Sequence, residues 1–469
     1  MTNNNDTICA ISTPPGIGGI AVARVAGPRA IEITNSLWNG RKPLTEVKTH
    51  TAHFGTIADS EGRQLDEVVA TVFRAPKSFT GDDIVEISVH GSRFIQRELI
   101  NALISAGCRL ADPGEFTRRA FTAGRMDLAE AEAVADIIAS NSRAAHRIAL
   151  SQMRGDYSRK LNSLRDKLID LSALLELELD FSEEEVEFAS RTQLRTIATD
   201  INTEVNRLHN SFSAGKAIKE GIPVAIVGPT NAGKSSLLNA IVGDDRAIVS
   251  DIRGTTRDTI EETLEQGDYL FRFIDTAGLR DTTDIIEQQG IERSRKAIEK
   301  ARIIILVLDP SEPIDTQLID AIATSVKTQP APAHIIVAIN KTDITDPTDI
   351  HNTVTNLLSQ HQLQATTLHI SAKKEIGLQP LLQALEDAAT ADNGSADEGI
   401  LVTNARHAQA LALASKSSAT IIQALDINLP GDLIAQDLRE TIHHLSTITA
   451  TITTTDILST IFSRFCIGK

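Results

Sequence analysis

The chain has 469 residues, 41% of them hydrophobic, and a formal net charge of −16. That length and apolar content predict about three domains, each with its own core, while the acidic balance excludes a general nucleic-acid binder, whose hold on phosphate depends on cations. No apolar run approaches the roughly 20 residues of a membrane span, and Cys9, Cys108 and Cys466 are too few and too scattered for a disulfide framework or a metal cluster. The N-terminal MTNNNDT carries no Lys or Arg and so no secretion signal. The expected setting is cytoplasmic, with neither membrane nor DNA among the partners.

Residues 1–121 mix short β-rich runs (GIAVARVAG, DEVVATVF, DIVEISVH) with one helical stretch, RFIQRELINALISAG, and predict an α/β domain. From 122 to 219 the pattern is helical, with alanine-, leucine- and glutamate-rich periodicity through MDLAEAEAVADII and KLIDLSALLELELDF. Within it RKLNSLRDK is a basic cluster, of the mixed-charge kind that usually forms a solvated helix face. A domain of different pattern interrupts at 220–385, and after the acidic linker DNGSADEG the helices return over 386–469. Neither helical half has a cover for its apolar face, so the simplest packing is one half against the other, with the interrupting domain as an insertion.

Inside the insertion, Ile222 to Val227 is an apolar run ending at Gly228, and SSLLNAIVG after Lys234 has helical spacing. Between them lies GPTNAGKS, residues 228–235. Its glycines let the backbone N–H groups and the helix start face a β-phosphate, Lys234 reaches the β and γ oxygens, and Ser235 supplies a hydroxyl for Mg²⁺. GTT (Thr255, Thr256), DTAG (Asp275, Thr276, Ala277, Gly278), NKTD (Asn340, Lys341, Asp343) and SAK (Ser371, Ala372, Lys373) follow in chain order. Together with Asn231, Ala232, Gly233, Lys234, Ser235 and Ser236 they identify a GTPase. Asp343 can accept two hydrogen bonds from guanine N1 and N2, which adenine does not offer, and a site built on such bonds rejects the analogue lacking them. Asn340 and the Ala372 backbone would complete the guanine edge, with Lys341 along the base.

Small signalling GTPases follow DTAG with a water-orienting glutamine; here Leu279 stands in that place. Two substitutes are visible. Asn231 could hold a monovalent cation against the phosphates or simply brace the loop, and Glu287 could orient water or be one more acid at a helix start.

DTICAISTPPGIGGIAVARVAG, SFTGDDIVEISVHG, PGEFTRRAF, AGRMDLAEAEAVADII, IRGTTRD, DTAGLRDTTDIIEQQGIERS, LPGDLIAQDLR and the terminal IFSRFCIGK together resemble the MnmE (TrmE) family of bacterial tRNA-modification GTPases over nearly the whole chain. The resemblance implies a multidomain α/β plus all-α fold: an N-terminal α/β dimerisation and folate-binding-like domain, a discontinuous helical domain and an inserted Ras-like P-loop G domain. It implies K⁺ held by Asn231, Ser250, Ile252 and Thr255, Mg²⁺ on Ser235 and Thr256, with Ser250 also counted at the GTP site, and water oriented by Glu287. It implies contacts to 5,10-methylene- or 5-formyl-tetrahydrofolate from Arg24, Glu86, Arg125 and Lys469, with Cys466 a candidate catalytic thiol. Implied partners are a second copy of the chain, the flavoprotein MnmG in a heterotetramer, and tRNA. The implied activity is GTP hydrolysis coupled to adding a carboxymethylaminomethyl or aminomethyl group at C5 of the wobble uridine. The chain departs from the family at Pro229 and Thr230, where proline usually directly precedes the asparagine, and at Ser446, Thr447 and Ala450.

CIGK mimics a prenylation box, but Lys469 is not an accepted last residue and no polybasic run precedes it. The residues alone leave Cys466 as either a free surface cysteine or a functional thiol. A switch GTPase of the ribosome-assembly kind, without one-carbon chemistry, is the other reading of the nucleotide motifs; a basic RNA-binding module would be expected there.

Overall fold

A computed structural model of the chain describes residues 6–180, 191–246, 262–274, 287–328, 333–392 and 400–449, with 458, 461–463, 465 and 468 near the C-terminus. At 176–180, 244–246, 287–293 and 392 only the backbone is described. The chain divides into two compact units, each assembled from separated stretches: Met1–Ala135 with Ser151–Ala173 and Arg439–Lys469, and Asp136–Leu150 with Leu174–Leu438.

In the first unit, β1 (Ile8–Ile11), β2 (Gly18–Ala26), α1 (Ala30–Leu37), β3 (Trp38–Gly40), β4 (Thr51–Ala58), β5 (Gln64–Phe73), β6 (Ile84–Gly91), α2 (Arg93–Ser105), β7 (Arg109–Leu110) and α3 (Glu115–Thr122) follow one another. The strands form one sheet in the order β3-β4-β5-β6-β2-β1-β7, antiparallel except for β1 with β7. Strict alternation decides which face is covered. Ala21, Ala23 and Val25, Val68, Ala70 and Val72, and Val85, Ile87 and Val89 are buried against Ile33 and Leu37 of α1 and Leu99 and Leu103 of α2. The opposite face carries Arg24 and Glu86 together with the exposed Ile20, Phe54 and Val69.

Next come α4 (Leu128–Ala139), α5 (Arg143–Met153) and α6 (Asp156–Asp180). Tyr157, Leu161, Leu164, Leu168 and Leu171 of α6 are buried at the three- and four-residue spacing of one helix face.

In the second unit, α7 (Arg191–Asn210) and α8 (Phe212–Glu220) lead into β8 (Ile222–Val227), α9 (Lys234–Arg246), β9 (Glu262–Gln266), β10 (Tyr269–Phe273), α10 (Glu287–Lys300), β11 (Ile303–Leu308), α11 (Thr316–Thr328), β12 (His334–Ile339), α12 (Thr348–Gln360), β13 (Ala365–His369) and α13 (Leu378–Asp392). The helix α14 (Ala405–Asp426) follows, and α15 (Gly431–Thr449) begins in this unit and ends among the residues of the first. The strand order is β13-β12-β11-β8-β10-β9, parallel apart from the β9–β10 hairpin, which is the Ras-like arrangement. Strands covered on both faces need no polar alternation, and all six residues of β11 are buried. One apolar layer lies under Leu237 and Ile241 of α9 and Leu381 of α13; the other lies under Ile298 of α10, Ile322 of α11 and Val354 of α12.

The helices on either side of this insertion do cover each other. Leu194, Ala198, Ile201, Val205 and Leu208 make the buried face of α7, and Ser415 and Ser418 of α14 donate to Asn206 and Asn202 of α7 at 2.7 and 2.9 Å. Arg195 pairs with Asp426 at 2.5 Å. The fold class is therefore multidomain α/β plus all-α, with a P-loop domain inserted between helical segments.

Candidate active site

In a doubly wound sheet the loops at the carboxyl ends of the strands converge on one edge. Here those loops begin at Gly228 after β8, Asp309 after β11, Asn340 after β12 and Ile370 after β13.

The loop after β8 needs its two glycines for space as well as dihedral angle. Gly233 has φ +97, and a Cβ there would collide with the Asn340 side-chain amide; at Gly228 a Cβ would fall on the Val307 carbonyl oxygen. Asn231 sits at φ +62, a left-handed position that asparagine tolerates, with an exposed side chain. Lys234 opens α9 and folds back, donating from Nζ to the carbonyls of Gly228 and Pro229 at 2.9 and 2.8 Å. Burial pushes the Lys234 ammonium below the usual lysine range. A desolvated cation, a helix start and a cradle with no room for a Cβ fit a polyphosphate. Ser235 lies half-buried at the same helix start, with the hydroxyl chemistry a magnesium ion accepts.

The base loop is organised around Asn340, which is 3% exposed. Its Nδ2 donates to the Ala232 carbonyl, and its Oδ1 accepts from the Ala372 N–H, both at 2.9 Å. The side chain and the N–H that the sequence assigned to the guanine edge are thus bonded to each other, and they join the phosphate loop to the loop after β13. Asp343 accepts from Ser371 Oγ at 2.7 Å and faces Lys374 at 3.5 Å. The Ser371 hydroxyl, with Lys374 behind it, holds the Asp343 carboxyl below the usual carboxylate range. Asp343 is a ready acceptor whose second oxygen is less tightly engaged. Lys341, at φ +61, is drawn out by Asp309, 2.5 Å from Nζ. Burial works to raise the Asp309 pKa, but the bonds from Lys341 and Ser311 outweigh it and the net shift is downward. No sequence motif points to Asp309; its one signal is an acid directly after the apolar IIILVL strand. Lys373 lies in the short turn Ala372–Lys374, and Ser236 is exposed in the first turn of α9.

Ser250, Ile252, Thr255, Thr256, Asp275, Thr276, Ala277 and Gly278 lie outside the described residues, as do Cys466 and Lys469. Glu287 is the first residue of α10, and its side chain is likewise outside the description.

A second cluster belongs to the first unit. Arg24 of β2 and Glu86 of β6 are cross-strand partners, and Arg24 donates from Nε and Nη2 to Glu86 Oε1 at 3.0 and 2.8 Å. The Arg24 guanidinium also lies 5.6 Å from the Phe79 ring centre and 5.5 Å from that of Phe116, a cation–π arrangement. The aliphatic stem of Arg125 runs beside Gly81, so residues 79–81 lie next to the Arg24 guanidinium at one end and the Arg125 stem at the other. Three of the four residues grouped by resemblance are thus tied to one corner of the sheet.

A cluster of ion pairs, partly buried, holds α3, whose Phe116 lies against Arg24. Glu115, 1% exposed, takes Arg109 at 2.6 Å and Arg119 at 3.0 Å; Asp6 takes the same two arginines at 2.7 and 2.5 Å. Burial tends to raise the pKa of both acids, yet the arginine hydrogen bonds win and both carboxyls are lowered.

A Ras-like sheet with a glycine-cradled lysine after its first strand and an Asn-Lys-x-Asp loop after its fifth defines a P-loop GTPase. The family model for the MnmE helical domain matches residues 128–466, and that for the GTP-binding protein TrmE N-terminus matches residues 7–125. The tRNA modification GTPase MnmE of Parabacteroides distasonis is 48% identical over 467 residues, covering 99% of this chain and 100% of that protein. Those of Cytophaga hutchinsonii and Bacteroides fragilis are 47% and 46% identical, over 100% and 99% of this chain and 99% and 100% of their own lengths. The chain belongs to the MnmE family of tRNA-modification GTPases.

Proposed function

We propose that this chain is a K⁺-dependent GTPase that works with the flavoprotein MnmG on certain tRNAs. Together they add a carboxymethylaminomethyl or aminomethyl group at C5 of the wobble uridine, drawing one carbon from tetrahydrofolate. The observation that carries this is the coexistence of two built sites: the Asn340-bridged nucleotide loops and the Arg24–Glu86 corner of the first sheet. A pure switch has no use for the second.

On this reading Lys234 exchanges the Gly228 and Pro229 carbonyls for β and γ phosphate oxygens, and Asp343 reads guanine N1 and N2. Ser235 and Thr256 hold Mg²⁺; Asn231, Ser250, Ile252 and Thr255 hold K⁺. The two ions supply positive charge where the transferred phosphoryl group needs it. Glu287 orients the attacking water, for which Leu279 has no group. Arg24, Glu86, Arg125 and Lys469 hold the folate: the cations suit its glutamyl carboxylates, the acid the donor edge of its pterin. We place the N-terminal domain at 1–121, the helical domain at 122–219 and 386–469 and the G domain at 220–385. The exposed Ile20, Phe54 and Val69, on the part of the sheet's second face that Phe79 and Phe116 leave open, support constitutive pairing of two copies through residues 1–120. The test is mass analysis of wobble nucleosides from cells lacking this protein; fully modified uridine at that position would overturn the reading.

A further inference from the structure

Lys341 stands in the left-handed region at φ +61, a conformation that costs a residue with a long side chain energy and persists only where the surroundings enforce it. Bonds on either side do so here. Before it, the Asn340 N–H donates to the Leu308 carbonyl at 2.8 Å, and the Asn340 side chain reaches Ala232 and Ala372. After it, the Thr342 N–H and hydroxyl donate to the Ile370 carbonyl at 3.2 and 2.9 Å. The Lys341 carbonyl itself accepts from the N–H groups of Ile344 and Thr345 at 3.0 and 3.2 Å. The backbone is therefore set, and the freedom left to this residue lies in its side-chain torsions.

Asp309 removes that freedom. β11 and β12 run parallel with Leu308 opposite Ile339, so the residues that follow the two strands emerge side by side. Asp309 is 4% exposed, and its two oxygens are divided between two partners. Oδ1 accepts from the Ser311 N–H and hydroxyl at 2.9 and 2.6 Å, while Oδ2 takes Lys341 Nζ at 2.5 Å. The lysine side chain is thus stretched between a fixed backbone and a fixed carboxylate. Held at both ends, it presents its methylene stem rather than its charge to whatever lies alongside.

We infer that Asp309 is a positioning residue for base recognition: by holding the Lys341 ammonium it lays the lysine stem out as one wall of the guanine slot. This rests on the reading of Lys341 as lying along the base. Asp309 acts through the lysine and not on the nucleotide. Without it the lysine would be ordered only as a base arrives, and the cost of that ordering would be subtracted from the binding free energy.

The experiment uses the purified full chain with Asp309→Asn, with Lys341→Ala and with both. Asparagine keeps the size of the buried side chain; with Ser311 claiming its oxygen, its NH2 faces Lys341, so the pair is broken without opening a cavity. Dissociation constants for GDP, inosine diphosphate and inorganic tripolyphosphate are measured by competition with a fluorescent nucleotide. Asp309→Asn should weaken GDP and inosine diphosphate by the same factor, about fivefold to tenfold, the worth of one hydrogen bond partly open to water. Tripolyphosphate, which has no base, should bind wild type and variant alike. In the Lys341→Ala background the change at Asp309 should cost nothing further. If Lys341→Ala binds GDP as tightly as wild type, the reading of Lys341 falls and the role of Asp309 falls with it. If Lys341→Ala is weakened while Asp309→Asn is not, or if the two losses add, the role of Asp309 alone is overturned. A loss shared by tripolyphosphate would make Asp309 a general brace of the loops, and one confined to GDP would assign it to the base edge read by Asp343; either result refutes the lysine stem as the route.

Discussion

Replacing Asn340 by alanine removes one side chain that spans two loops. The change deletes the 2.9 Å bond to the Ala232 carbonyl and the 2.9 Å bond from the Ala372 N–H, at a residue only 3% exposed. A hydrogen bond of this kind is worth about 1 kcal/mol net, so the pair is worth about 2 kcal/mol, more if the orphaned groups find no water. Because the bonds join the phosphate loop to the loop beside Asp343, the cost falls on the nucleotide-ready arrangement. At 1.4 kcal/mol per tenfold, GTP and GDP should both bind roughly 30-fold more weakly. The loss should be the same for both nucleotides, since neither bond reaches the γ-phosphate, and turnover at saturating GTP should stay within a few-fold of wild type. Fluorescent-nucleotide titration against single-turnover hydrolysis separates the two quantities. Affinity within threefold of wild type would show that the bridge does not organise the site; a selective loss of GTP over GDP would mean that Asn340 acts on the γ-phosphate side.

Hydrolysis should be on the order of a hundredfold faster in K⁺ than in Na⁺ of equal ionic strength, because no arginine lies in the phosphate loop to supply the transition-state charge; equal turnover numbers would sink the cation assignment. Glu287→Ala should keep near-wild-type GTP affinity while turnover falls on the order of a hundredfold, whereas Asp343→Asn should weaken GTP and favour xanthosine triphosphate, whose 2-oxo group matches the new amide. Normal hydrolysis by Glu287→Ala would place the water elsewhere. Glu115→Gln should cost about 3 kcal/mol at pH 7, by leaving Arg109 and Arg119 short of a buried charge. Since the folded Glu115 and Asp6 carboxyls lie below their unfolded values, their stabilisation is complete above about pH 4.5 and drains away as pH falls through the folded values. The gap in melting temperature between wild type and variant should therefore shrink on acidification; a gap that does not depend on pH would refute the charge network as its source.

The nucleotide motifs were legible because phosphate and guanine recognition need fixed residue types at short range: a glycine loop between an apolar strand and a helix, and an acid three residues after an asparagine. The fold class was legible for a related reason, as IIILVL and the alternating runs of β5 and β6 state their period directly. What the residues alone could not state was any pairing across a long stretch of chain. Arg24 and Glu86 stand 62 positions apart and meet only because β2 and β6 are neighbours in the sheet; Ser12 and Gly468 stand 456 apart. Asp309 looked like an ordinary strand end until β11 and β12 lay side by side and brought it to Lys341. Asn340 was assigned to the base by its motif, yet its amide is bonded to two other loops. Local chemistry is encoded locally, because dihedral preference and hydrophobic period act over a few residues; which distant side chains share a hydrogen bond depends on strand order and helix packing, and only the folded chain decides that.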